Sequence, residues 1–267
     1  MRQWIKRKVA FVLASSEHGS MIVNRFDYRM LDEARGYGVG FEILESSSFS
    51  PHEVDTALTL LDLRREYHGD GVVAIDCGAN IGVHTVEWAR KMSGWGSVLA
   101  IEAQERIFYA LAGNVAINNC FNAQAILAAV SDKPGFIKVP LLDHTRPSSF
   151  GSVELKRRND TEFVGQAVDY SEQSTTKVRC LTLDSLGLTR VDLIKLDVEG
   201  MELDALAGAN NVLGRARPIL IIEFVKSDRA KLRSVLESLD YSIFELRMDL
   251  VAVHKSDKAL NHIRSVK

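Results

Sequence analysis

The chain has 267 residues, 33 basic and 35 acidic, for a net charge of −2; 46% are hydrophobic and the mean hydropathy is −0.03. The balanced charge gives no electrostatic case for a nucleic-acid partner, and no apolar run is long enough to span a bilayer. That length can bury the core of one α/β domain with additions, and Cys77, Cys120 and Cys180 lack metal-type spacing, which points to reduced thiols in a cytoplasmic setting.

In chain order, Met1 to Lys8 is basic and Val9 to Ala14 is apolar. No small-residue cleavage site follows, so the expectation is a short helix packed on the domain. A basic segment resting on a membrane surface is weighed and not favoured. Met21-Ile22-Val23 and Val39 to Leu44 read as short strands of a lid. Ser50-Pro51 starts a helix, with Glu53 at capping-box spacing, and Val54, Ala57, Leu58 and Leu61 carry it to Gly69-Asp70-Gly71. Residues 1–70 are thus an extension packed on a core of residues 71–255, and 256–267 form a tail.

The core opens with Val72 to Ile75, an apolar run ending in Asp76, then a turn with Gly78, Asn80 and Gly82. Val83, Val86, Ala89 and Met92 follow at helical spacing. Strand, glycine turn and helix make the first step of an α/β unit, and the glycines allow a ligand to approach the backbone. A dinucleotide fold wants a second glycine where Asn80 stands, which argues against NAD. Asp76 would repel a phosphate and attract an amine. A second strand, Ser97 to Ile101, ends at Glu102, placed to accept hydrogen bonds from both hydroxyls of a ribose. S-adenosylmethionine combines that ribose with a cationic amino-acid end.

Ile107 to Ile117 reads as a helix stopped at Asn118-Asn119, and Ala125 to Val130 as a third strand with Ser131-Asp132 at its tip. Phe136 to Leu141 adds a hairpin strand. Residues 142–177 are polar and lack periodicity, an insertion suited to binding the acceptor and containing His144. Val191 to Leu196 and Pro218 to Ile222 are the fourth and fifth strands, tipped by Asp197 and Glu223. A helix over Lys231 to Leu239 and an antiparallel pair, Tyr241 to Leu246 and Leu250 to His254, close the domain.

Ile75 to Gly82, Ala100 to Ala103 and Asp192 to Glu202 together resemble the signatures of FkbM-type methyltransferases, over roughly Gly71 to Glu223. The resemblance implies a class I methyltransferase (Rossmann-like) fold: a seven-stranded, mostly parallel sheet with an antiparallel C-terminal hairpin and helices on both faces. It also implies methyl transfer from S-adenosylmethionine to a hydroxyl, on a sugar, glycan or secondary metabolite. Asp76, Gly78, Asn80, Gly82 and Glu102 are the expected cofactor residues. Ser131 and Asp132 either join them beside the adenine or form a simple turn. Asp197, Glu199 and His144 are the candidate general bases, with Lys195 beside Asp197 and Glu202 on one helix face with Glu199. Asp197, Glu199 and Glu223 offer oxygen ligands for Mg2+, although hydrogen bonding to loop N–H groups is the commoner use and no metal is assigned. The acceptor is a small molecule or carbohydrate. The alternatives are an NAD-type oxidoreductase or a nucleoside-binding protein without catalysis.

Overall fold

The structure, a computed structural model, describes residues 8–33 and 35–263. The basic segment considered for membrane contact lies almost wholly outside them.

The N-terminal extension begins with an antiparallel hairpin, β1 (Phe11–Ser16) and β2 (Gly19–Asn24). The helix expected over Val9 to Ala14 is therefore a strand. Its partner lies across a tight turn at Glu17-His18, where Ser16 Oγ donates to the Gly19 carbonyl. Two short strands follow, β3 (Arg29–Met30) and β4 (Gly36–Tyr37). The second lid strand is likewise corrected. Val39 to Leu44 lies in a helix, α1 (Val39–Ser46), because Gly38 breaks the chain at φ 139 and the Asp27 carboxylate accepts the Gly40 N–H at 3.0 Å. Helix α2 (Pro51–His68) runs from Ser50 to Gly69 as expected, but the Ser50 side chain makes no cap.

The core alternates strand and helix: β5 (Val72–Cys77), α3 (Val83–Lys91), β6 (Gly96–Glu102), α4 (Glu105–Ile117) and β7 (Ala123–Leu127). There the third strand breaks. The Ala128 N–H donates to the Glu102 carbonyl at 3.0 Å as the last rung of the β6–β7 ladder, and beyond it the chain leaves the main sheet as β8 (Ala129–Val130). Strands β9 (Gly135–Pro140) and β10 (Thr175–Leu181) complete a side sheet of order β8-β10-β9. The remaining elements are β11 (Leu193–Leu196), α5 (Glu202–Ala207), α6 (Asn210–Arg215), β12 (Ile219–Glu223), α7 (Arg229–Ser238), β13 (Tyr241–Leu246) and β14 (Asp249–His254). The main sheet has seven strands in the order β13-β14-β12-β11-β5-β6-β7, parallel from β12 to β7. Strand β14 runs antiparallel between β12 and β13. This is the expected class I layout.

A parallel strand covered on both faces is apolar throughout, which is why Leu193 to Leu196 carries Lys195 as its one polar side chain. Alternate residues serve opposite cores. Leu193, Ile219 and Ile221 pack with Trp88 and Leu61 under α2 and α3, while Ile194, Leu220 and Ile222 pack with Leu206, Leu213 and Leu236 under α5, α6 and α7. All three cysteines are free and buried. Among the described residues, no helix is long and apolar enough to cross a membrane.

The insertion holds neither helix nor strand until a turn at Glu172–Ser174, and Thr175 to Lys177 already belong to β10. It is nonetheless packed. Phe150 is fully buried, its N–H donates to Asp27 at 2.9 Å, and its carbonyl accepts from Gln104 at 2.8 Å. Asp27 thereby ties the extension, α1 and the insertion together, and its burial pushes its carboxyl up to about 6.

Candidate active site

The turn after β5 is shaped by its neighbours. Gly78 has φ 77, and a Cβ there would lie 1.7 Å from the Asp197 carbonyl oxygen. Its glycine is thus demanded by the adjacent strand tip, not only by ligand approach. Gly82 opens α3 at φ 89, its missing Cβ makes room for Leu111, and it does not line the cavity. Asn80, also at positive φ, folds its side chain back to accept the Ile81 N–H at 2.8 Å.

Glu102 ends β6 and accepts two backbone hydrogen bonds, from Asn80 at 3.0 Å on Oε2 and from Gln104 at 2.7 Å on Oε1. Each oxygen keeps a lone pair for a further donor. Burial pushes its carboxyl up to about 7, against backbone N–H groups that favour the charged form. Asp76 lies one strand away, 1% exposed, and accepts from the Thr85 hydroxyl at 2.6 Å.

A cavity of about 480 Å³ opens over these strand tips. Gly78 to Ile81, Ile101 to Gln104 and Ala128 to Val130 form one end. The other is formed by Asp197 to Glu199 and Glu223, with Tyr37, Glu42 and Glu53 from the extension and Ser152 and Glu162 from the insertion. Ser131 and Asp132 do not reach it. Because the strand breaks after Leu127, Ser131 N–H pairs with the Leu181 carbonyl at 2.9 Å in the side sheet, and Asp132 faces solvent. His144 is also away from the cavity. Its ring stacks on Phe150 with centroids 4.3 Å apart, and burial lowers it to about 4.

At the acidic end, ligand oxygens of Asp197, Glu199 and Glu223 lie within 4.8 Å of one another. Lys195 donates to Asp197 at 2.7 Å, and Lys226 donates to Glu199 at 2.5 Å and to the Ser152 carbonyl at 2.6 Å. Burial opposes the charge on Lys195, yet Asp197, Asp76 and Asp249 together raise it above the ordinary lysine range. Burial and then Asp197 push Glu199 up to about 8 and Glu223 up to about 9. Two of the three carboxylates are thus matched by ammonium groups. Glu199 sits at φ 55 before α5, so it shares no helix face with Glu202. Glu202 instead fixes the loop, accepting from Val198 at 3.0 Å and Gly200 at 3.2 Å.

The lining residues not singled out as site residues from sequence include Glu42, His84, Lys226 and Glu53, the last read only as a capping residue. His84 had a visible signal, a histidine two residues past the glycine turn. The other three reach the cavity through tertiary packing alone.

A model of the methyltransferase FkbM domain matches residues 76–243, more than half of the chain. A curated relative, methyltransferase 1 of Beauveria bassiana, is 25% identical over 191 residues, covering 67% of this chain and 76% of the relative. A solved methyltransferase FkbM from Methylobacillus flagellatus KT is 19% identical with a TM-score of 0.49, over 68% of this chain and 44% of that one. This protein therefore spans less than half of that solved chain. Magnesium protoporphyrin IX methyltransferase of Synechocystis PCC 6803, solved with bound S-adenosylmethionine, is 14% identical with a TM-score of 0.40, over 76% and 79% of the two chains.

Proposed function

The chain belongs to the FkbM methyltransferase family, and we propose that it methylates a hydroxyl oxygen of a sugar, glycan or secondary metabolite, with S-adenosylmethionine as donor. The cavity's size lies within the range of small-molecule sites, roughly 300–1,000 Å³. Support for the donor comes from Glu102, whose oxygens each retain a lone pair for a ribose hydroxyl, and from the Asn80 turn beside it. Glu102, Asn80 and the Gly78 turn would hold the nucleoside, and Ala128 to Val130 would flank the base.

The observation that carries O-methylation is the acid cluster at the far end of that cavity. Bound there, the donor supplies an electrophilic methyl carbon, and the protein's work is to place an oxygen in line with it. An alcohol must lose its proton as the new C–O bond forms. Asp197 accepts that proton, held in place by Lys195 at 2.7 Å. Glu223, raised to about 9 by burial and then by Asp197, holds its proton at neutral pH and donates a hydrogen bond to the acceptor's neighbouring oxygen, while Glu199 is paired with Lys226. That division suits a polyhydroxyl acceptor.

The test is label transfer from methyl-labelled S-adenosylmethionine to a panel of sugars, glycans and hydroxylated metabolites, read as labelled ether by mass spectrometry. Asp197→Asn keeps the shape and removes the proton acceptor, so turnover should fall about 10²–10⁴-fold while S-adenosylhomocysteine affinity changes little. Activity surviving within about three-fold, against the 10²–10⁴ expected of a general base, would move the role to Glu199.

A further inference from the structure

If Glu102 holds the ribose, the direction of the rest of the ligand is fixed by strand order. The base runs outward toward β7 and β8, where Ala128 to Val130 line the cavity. The amino-acid end must run the other way, past Asn80 to the tips of β5 and β11 and the start of α3. Asp76 lines the cavity on that path, but the residue is 1% exposed, one of its carboxylate oxygens accepts from Thr85, and Lys195 already acts on its charge.

Two other side chains line the cavity there. His84, in the first turn of α3, is 7% exposed, and its Nε2 has no hydrogen-bond partner. Its nearest acid is Glu53 of α2, with Oε2 at 3.9 Å, too far for a hydrogen bond. With the ring proton on Nδ1, an orphaned buried imidazole nitrogen this close to a carboxylate is satisfied by one donor shared between the two. Glu53 has no lysine of its own, since Lys195 is committed to Asp197, and Glu42 adds further negative charge beside it. Arg247 is the other cation acting on Glu53.

We propose that Glu53 and His84 together bind the ammonium group of the cofactor's amino-acid end. This rests on the assignment of S-adenosylmethionine to the cavity. Two acceptors 3.9 Å apart can share one ammonium nitrogen placed about 2.8 Å from each. Burial, then Lys195 and His18, hold the imidazole well below its ordinary range, so His84 is neutral, and with its proton on Nδ1 it offers the Nε2 lone pair. Burial raises Glu53 despite Lys195, Arg247 and the Ser50 hydroxyl, and an ammonium beside it would further favour its charged form. Glu53 lies outside residues 76–243, so the extension completes a site that the family domain does not contain in full. The capping-box spacing of Ser50 and Glu53 is then incidental to the role of the glutamate.

The test compares two ligands by calorimetry on the full chain. S-adenosylhomocysteine carries the ammonium; its deamino analogue, the adenosylthiobutanoate, does not. Glu53→Gln and His84→Phe should each weaken S-adenosylhomocysteine, Glu53→Gln by about ten- to hundred-fold, the range for a charge-assisted contact. Deamino-analogue affinity should stay within about two-fold in both variants, well below that contact's effect. Equal losses for both ligands would mean a structural role and overturn the proposal, as would no loss for either. If neither ligand binds the unaltered chain while it remains folded, the cofactor assignment itself fails, a result distinct from failure of the clamp.

Discussion

Glu102→Gln is the substitution that the geometry constrains most closely. The carboxylate takes one backbone N–H on each oxygen, from Asn80 and from Gln104. A glutamine amide offers one acceptor oxygen and turns its NH₂ toward the other backbone N–H. One buried donor is left facing a donor, at a cost of about 1–3 kcal/mol. In a domain of this size each kcal/mol lowers the melting temperature by roughly 2–4 °C. The ligand loses more, since a ribose hydroxyl donating to a carboxylate is charge-assisted, worth about 1.5–3 kcal/mol and hence about ten- to hundred-fold in affinity. The substitution also mimics protonation. Burial holds Glu102 at about 7 without ligand, and hydroxyl donors favour the ionised form, so binding expels a proton. Affinity of the unaltered chain for S-adenosylhomocysteine should therefore rise as pH increases through about 7, while that of the variant stays flat. Calorimetry between about pH 6 and 8, with melting curves alongside, reads both effects around that value. Equal affinities at the upper pH, or parallel pH profiles, would refute the assignment of the ribose to Glu102.

Without ligand, stability should fall between about pH 7 and 9. Glu102 and Asp249 are raised to about 7, Glu199 to about 8 and Glu223 to about 9, so the folded state holds protons that the unfolded chain has released. That stability is fully present below the ordinary carboxylate range and is lost as pH rises through these values; a melting temperature that climbs across this window contradicts it. Below about 6.5 the sign is opposed by His84, held neutral in the fold and charged when unfolded. Gly78→Ala should cost roughly 2–5 kcal/mol in chemical denaturation, because the new methyl meets the Asp197 carbonyl at 1.7 Å. Gly94→Ala, at a similar positive φ with nothing within 4 Å, isolates the conformational strain, and equal costs for the two would show that the contact relaxes freely.

Much of the core was legible because its signals are local. The run into Asp76, the glycine turn and the stripe from Val83 to Met92 need no distant partner to be read, while the sheet layout came only with the resemblance to FkbM-type methyltransferases. The failures share a physical cause. Val39 to Leu44 is helical because Asp27 holds the Gly40 N–H, a contact that no window over the segment contains. Ser131 and Asp132 miss the cavity because the chain leaves the main sheet after Leu127 and pairs with β10 instead, a partner some fifty residues away in sequence. His144 looked like chemistry in a polar insertion, yet Phe150 folds beneath it and makes it a packing residue. Phe11 to Ser16 could have been read correctly, since Glu17-His18 separates two apolar runs at hairpin spacing. Glu53 was hidden differently, because the capping-box pattern explained it before any other role was sought.

The acids on the rim show why residue type alone could not assign them. Asp76, Glu102, Asp197, Glu199, Glu202 and Glu223 are chemically near-equivalent in the sequence, and their neighbours divide the labour. Glu202 spends one oxygen on loop N–H groups and the other on the Ser227 hydroxyl, and Asp76, which also lines the cavity, gives one oxygen to Thr85. Glu102 spends one lone pair on each oxygen and keeps the other. Burial, then the charge of Asp197, raises Glu199 and Glu223, with Glu199 paired to Lys226, and Lys195 holds Asp197 in place from two residues before it. The assignment of acceptor and donor therefore depends on Lys195 more than on any one acid. Without that buried cation, Asp197 would lose its counter-charge and compete with its neighbours for the same protons. The base would then cease to be a single residue, so the lysine on β11 belongs to the active site although it touches only carboxylates.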